Sequence, residues 1–225
     1  MNIPFWKKWL SYLFEIHIES APSEHNPHLY VSLVKGRYQL CTEHAVYSYG
    51  DLYDNFVRAF MRLDLEKLPG KEVLILGFGL GSIPVILEKK FGKDFHYTAV
   101  ELDEEVLYLA NKYTLPELDS PVQIIQADAF AFSHLCEEKY DLICMDVFLD
   151  DVIPADFETS AFLENLKSML NPNGVLLYNR LALTDRDKKA TNFFFETEFL
   201  RVFPAGYALD TIGNRILVNE KRFVL

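Results

Sequence analysis

Residues 73–87 read VLILGFGLGSIPVIL. An apolar run suited to a buried strand leads into Gly77, Gly79 and Gly81, and the chain then becomes apolar again at helical spacing. Glycine at a strand end weakens packing unless the backbone must turn sharply there or be approached closely. The expectation is that something touches the backbone at these glycines.

Outward from this stretch the chain alternates strand and helix. EVLILGF, FHYTAVE, VQIIQA, YDLICMDV and GVLLYNR read as strands, with helical stretches near 82–91, 104–113, 129–137 and 158–170 between them. Short apolar strands alternating with amphipathic helices indicate a parallel, doubly wound sheet. FLRVFPAGYAL and NRILVNE read as a terminal strand pair around Gly213-Asn214. The phenylalanines of TNFFFETEF read as a buried helix face.

Before residue 69 the pattern differs. LYVSLVKGRYQLCTEHAVYSYG contains two β runs around Lys35-Gly36. DLYDNFVRAFMRLDL places Leu52, Phe56, Phe60 and Leu63 on one helix face, with Asp51 as its N-cap. The division is a β-rich segment plus helix at 1–68 and an α/β domain at 69–225, the first too small to stand alone.

Lys plus Arg number 22 against 33 Asp plus Glu, a net charge of -11. No segment is strongly basic, so nucleic acid is not the expected partner; a small cationic substrate suits the balance. Cys41, Cys136 and Cys144 have no ligand spacing and leave an odd count, which fits a reducing, cytoplasmic setting. The six histidines sit beside no carboxylate or cysteine at ligand spacing, and no metal is expected. The opening MNIPFWKKWLSYLF lacks the long apolar core of a signal peptide, and no run is long enough to span a membrane. Its aromatic residues suit packing on its own domain, on a neighbouring subunit in a homo-oligomer such as a dimer, or on a membrane surface.

In sheets of this kind ligands bind at the carboxyl ends of the strands. The spacing G-x-G-x-G, with Ser82 next, departs from the dinucleotide fingerprint G-x-G-x-x-G. Glu101 ends the second strand, 20 residues after Gly81, where a carboxylate can accept both hydroxyls of a ribose. Asp128 stands at the junction of the third strand and its helix; it can cap that helix or accept from an exocyclic amine. Asp146, Asp150 and Asp151 follow the fourth strand. Four strand ends in this order point to an adenosine-bearing cofactor without a pyrophosphate grip.

The stretch from 72 to 178 resembles a class I S-adenosylmethionine-binding domain through LGFGLGS, AVELDEE, QADAFAF, YDLICMDVF and LNPNGVLLYN in order. Within that superfamily the chain most resembles spermidine-synthase-like proteins. The β-rich start, YSYGDLYDNF, DVFLDDVIPADF and GNRILVN carry that resemblance. It implies a Rossmann-like doubly wound seven-stranded sheet with the last strand antiparallel and a small N-terminal β-rich appendage. Gly77, Gly79 and Gly81 would line the methionine-derived and ribose portions, and Leu80 would lie at the donor's head group. Glu101 would hold the ribose and Asp128 with the Ala129 backbone the adenine. Asp146 would take the proton of the attacking amine. Tyr53 and Asp150 would lie on the substrate side.

The departures bear on the reaction. Aminopropyltransferases usually carry an acid where Leu80 stands, and it grips the amine of decarboxylated S-adenosylmethionine. They also carry D-x-x-D-P where Asp146 is followed by Leu149 and Asp150, and Gln or His where Tyr53 is followed by Asp54. Free N–H groups from Gly79 to Ser82 would suit a carboxylate. The expected function is therefore methyl transfer from S-adenosylmethionine to a small molecule. The alternatives are an aminopropyltransferase using decarboxylated S-adenosylmethionine and an inactive nucleoside-binding module.

Overall fold

A computed structural model of the chain describes residues 3–225. The first helix, α1 (Phe5–Leu10), buries none of its residues, and Phe5, Trp6, Trp9, Tyr12, Leu13 and Phe14 are all exposed. Ser11 fastens this segment to the turn at Lys35-Gly36, its carbonyl accepting the Lys35 N–H and its hydroxyl the Gly36 N–H. An antiparallel sheet follows: β1 (Ile16–Ser20), β2 (Tyr30–Val34), β3 (Arg37–Cys41) and β4 (Val46–Ser48), in that spatial order. Sequence patterning finds the β2–β3 hairpin; the flanking strands are too short or too polar to announce themselves.

Helix α2 (Asp54–Met61) begins three residues after Asp51 and has no side-chain cap. Asp51 instead forms an ion pair with Arg37. Of the expected apolar face, Phe56 and Phe60 are buried on the helix, Leu63 is buried just beyond its end, and Leu52 lies half-buried in the 3-10 turn before it.

The large sheet contains β5 (Glu72–Leu76), β6 (His96–Glu101), β7 (Val122–Gln126), β8 (Tyr140–Met145), β9 (Leu170–Leu181), β10 (Tyr207–Asp210) and β11 (Asn214–Val218). Its order is β10-β11-β9-β8-β5-β6-β7. Pairings from β7 across to β9 are parallel, and β11, the last strand, is antiparallel to both neighbours, as expected.

Alternation within the strands explains why they read as continuous apolar runs. On β5, Val73 and Ile75 enter one cluster, while Leu74 and Leu76 enter the other. Both faces are covered, so neither position can be polar. The first face packs on α2, on α3 (Ser82–Lys89) through Ile83 and Ile86, on α4 (Glu104–Tyr113) through Val106 and Leu109, and on Val31 and Leu40 of the smaller sheet. The second packs on α6 (Ser160–Met169) through Phe162 and Leu166, and on Phe199 and Val202.

The strand expected over FLRVFPAGYAL is half helix. Helix α7 (Asp185–Phe194) runs through a π-helical turn at Phe195–Phe199 into α8 (Leu200–Val202), and β10 starts only at Tyr207. Phe194, Phe199, Val202 and Phe203 are buried along it while Phe193 is 70% exposed. A short apolar run fits helix or strand equally by periodicity, and the helical register won because it reaches the second cluster. No helix among the described residues is long and apolar enough to cross a membrane.

Candidate functional site

The strand order reverses beside β5, between β6 and β8. At that switch point the carboxyl ends of β5, β6, β8 and β9 face a cavity of ≈ 840 Å³. Gly77, Gly79, Glu101, Asp128, Ala129, Asp146, Tyr53 and Asp150 all line it. Leu80 and Gly81 do not. Leu80 is 2% exposed, with its side chain in the apolar cluster beneath α2, so its placement at a donor head group is corrected.

The glycines have a local explanation. Gly77 and Gly79 adopt φ of 84° and 56°, which side chains rarely take. A Cβ on Gly77 would lie 2.4 Å from the Asp146 carbonyl oxygen, and one on Gly79 3.2 Å from Ser48 and the Tyr47 carbonyl. Gly81 similarly faces the Phe78 ring. What touches the backbone is the protein itself, and the cavity opens beside that packed turn.

Two of the N–H groups expected to be free, those of Gly79 and Gly81, are committed. Glu101 Oε2 accepts from Phe78 N (3.0 Å) and Gly79 N (3.1 Å), and Oε1 from Leu102 N (2.9 Å) and Asp103 N (3.2 Å). The Gly81 N–H donates to the Phe78 carbonyl, and the Ser82 hydroxyl meets the Ser48 hydroxyl and accepts the Tyr49 N–H. Burial pushes the Glu101 carboxyl up, against the pull of its four N–H donors. Glu101 therefore knits the β5 turn to the β6 turn as well as facing the cavity. Glu101→Gln, which sets an NH2 group against two backbone donors, should cost about 1–3 kcal/mol of stability in urea unfolding, separately from any ligand effect. An unchanged unfolding midpoint would show that the carboxylate serves the ligand alone.

Asp128 is the N-cap of α5 (Ala129–Leu135), its Oδ1 accepting from Ala131 N at 2.7 Å. It is exposed at the cavity wall, so capping and ligand contact are compatible. Asp150 is occupied elsewhere. Its φ is 52°, Oδ1 accepts from the Thr42 hydroxyl (2.5 Å) and His44 N (3.1 Å), and Oδ2 pairs with His44 Nδ1 (2.6 Å). Burial pushes this carboxyl up, but the Thr42 and His44 donors outweigh it and hold it low. Asp150 latches the loop after β8 to the β3–β4 hairpin. The Tyr47 hydroxyl joins the same seam, accepting the Asp150 N–H and donating to Asn26 Oδ1 at 3.0 Å. The smaller sheet thus forms one wall of the cavity.

Asp146 stands at the carboxyl end of β8. Its Oδ1 accepts from Asn179 Nδ2 at 2.7 Å, with the Tyr53 hydroxyl at 3.5 Å, the limit of a hydrogen bond. Burial pushes the Asp146 carboxyl up to about 7, partly opposed by Asn179 and Tyr53. The Tyr53 phenol is raised well above its ordinary value, first by burial and then by Asp146. A carboxyl poised near neutrality in a cavity can accept and return a proton. Sequence reasoning missed Asn179; the signal was an asparagine ending the apolar strand GVLLYNR.

Nine carboxylate residues line the cavity against one arginine, Arg186. Carboxylates so crowded favour a cationic guest.

The chain matches the spermine/spermidine synthase domain over residues 58–192, more than half its length. The protein belongs to that family. It is 34% identical over 113 residues to a probable polyamine aminopropyl transferase of Bifidobacterium longum, covering 50% of this chain and 24% of that one. It is 31% identical over 118 residues to the Bos taurus eEF1A lysine and N-terminal methyltransferase, covering 48% and 17%. The chain spans less than half the length of these relatives. Spermidine synthase from Thermotoga maritima superposes with a TM-score of 0.69 at 18% identity, over 90% of this chain and 72% of that one. Human methyltransferase-like protein 13 in complex with SAH gives 0.60 at 24%, over 76% and 82%. The family is thus shared by relatives named for two different transfers, and the common element is the Rossmann-like fold.

Proposed function

We propose that this protein is a transferase that binds an adenosyl sulfonium and alkylates an amine of a small cationic acceptor, with Asp146 as the proton acceptor. The observation that carries this is the Asp146 carboxyl, raised to about 7 at the switch point of a spermidine-synthase-type sheet. The residues present fit a nucleoside: Asp128 offers an acceptor oxygen at the rim, Glu101 lines the adjacent strand end with its oxygens on four backbone N–H groups, and the glycine turn beside it keeps that wall free of side chains.

When bound, an adenosyl sulfonium supplies an electrophilic carbon and departs as a neutral thioether. Asp146 takes the proton from the acceptor's ammonium, so that the nitrogen lone pair is free to attack. Tyr53, from the wall before α2, limits water beside Asp146 and directs its hydroxyl at the same carboxyl. The surrounding carboxylates hold the acceptor's remaining positive charge.

Methyl transfer from S-adenosylmethionine is the first reading, because position 80 points into the core and presents no acid to a donor amine. Aminopropyl transfer is the second, favoured by the excess of carboxylates in the cavity. Calorimetry with S-adenosylmethionine, its decarboxylated form, S-adenosylhomocysteine and NAD separates them. Binding of one sulfonium on the order of -8 kcal/mol, a micromolar constant, is expected, with NAD far weaker. Tight NAD binding with no response to S-adenosylhomocysteine would overturn the reading.

A further inference from the structure

We propose that Asn214 and Asn179 form a positioning relay that keeps Asp146 ionised and aimed into the cavity. The proposal rests on Asp146 acting as the proton acceptor. Asn214, at the start of β11, donates from Nδ2 to Asn179 Oδ1 at 3.0 Å. Asn179, fully buried on β9, donates from its own Nδ2 to Asp146 Oδ1 at 2.7 Å. The register makes this contact possible: Asn214 pairs with Leu181 and Ile216 with Asn179, so the two asparagines are diagonal neighbours on one face.

An amide has one donor end and one acceptor end. Asn214 occupies the acceptor end of Asn179, so only the donor end can face Asp146. A flipped Asn179 would set NH2 against NH2 and a carbonyl against a carboxylate, and the network thereby fixes its orientation. Without Asn214 the flip loses half of that penalty. A flipped carbonyl accepts a hydrogen bond from the O–H of protonated Asp146 and so favours the neutral acid, which cannot serve as a base. With Oδ1 held by Asn179 and Tyr53, Oδ2 has no hydrogen-bond partner among the described residues and is left for the acceptor amine.

Burial and the Glu101 charge press Asp146 toward protonation, and the Tyr53 hydroxyl opposes them. Glu101 from β6 raises it through its charge, the Tyr53 phenol lies on the wall before α2, and Cys144 precedes it on β8. Asp54 of α2, Asp128 before α5, Asp150 of its own loop and Asp187 of α7 add negative charge to the same cavity, and Arg186 is the one arginine there. The asparagine relay opposes them together with Tyr53, and Asn179 is the larger of the two opposing contacts.

The test is a carboxyl-carbon NMR titration of the full chain without ligand, with Asp146 assigned from Asp146→Asn. Asn214→Ala should raise the Asp146 midpoint by about one pH unit. In an Asn179→Ala background the same substitution should shift nothing, because the amide it orients is gone. An equal shift in both backgrounds, or none in either, overturns the relay. Asn214→Ser, whose shorter side chain falls short of Asn179, is read in the same way if the alanine variant does not fold. Calorimetry of the parent with S-adenosylmethionine and its decarboxylated form runs alongside. Binding with an unmoved midpoint overturns the relay alone, and a moved midpoint without binding overturns the transferase reading alone.

Discussion

Asp146→Asn is expected to make the protein more stable at pH 8 while removing most of its turnover. The carboxyl is raised from 3.8 to about 7 by burial. A group raised in the folded state contributes stability that is fully present below its ordinary value and is lost as pH rises through the folded one. At pH 8 the parent therefore carries the cost of an ionised, half-buried carboxylate, and near pH 3.5 it does not. The shift sets a ceiling of about 4 kcal/mol. Water reaches Asp146 through the cavity, which reduces the expected gain to about 1–3 kcal/mol. Urea unfolding of both proteins at pH 8 and at pH 3.5 measures it. The amide of the variant cannot accept a proton, so the rate should fall by roughly 10²–10⁴. A gain of equal size at both pH values would show that the site is not proton-linked, and unchanged turnover would remove Asp146 from the mechanism.

Leu80→Asp should unfold much of the protein. From the sequence, this substitution is a switch of donor preference, because an acid stands at this position in aminopropyltransferases. The structure places Leu80 2% exposed in the cluster with Phe56, Phe78 and Ile83. An unpaired carboxylate there loses its hydration without gaining a partner, a cost of about 3–5 kcal/mol. Leu80→Ala, which only leaves a cavity, should cost about 2–4 kcal/mol. Denaturant midpoints of the two variants against the parent decide between the readings. If Leu80→Asp unfolds like the parent and reverses the preference between S-adenosylmethionine and its decarboxylated form, position 80 faces the ligand after all.

Much of the fold is legible because it depends on properties that follow the chain. A strand buried on both faces must be apolar at every position, so β5 and β8 announce themselves. Three glycines with positive φ at a strand end require a turn, whatever lies beyond it. Asp128 at a strand–helix junction caps a helix through a contact three residues away. The misreadings are of another kind. Phe199 and Val202 became helical because an available apolar surface selected between two periods that a short run fits equally.

The sequence by itself determined the sheet, its order of acids and the family, because strand period, turn chemistry and motif spacing are local. Only the tertiary structure decided what each polar group does. Asp150 is a latch because Thr42 and His44, more than a hundred residues earlier, arrive beside it. Glu101 is tied to the glycine turn by four N–H groups from two loops. Leu80 is buried because α2 and the smaller sheet close over it. Asp146 is poised near neutrality because walls from both sheets desolvate it while Asn179, itself held by Asn214, reaches it from a strand that follows it in the chain. Desolvation and hydrogen bonding depend on neighbours in space, and these neighbours are brought together by the packing of two sheets, which no spacing along the chain records.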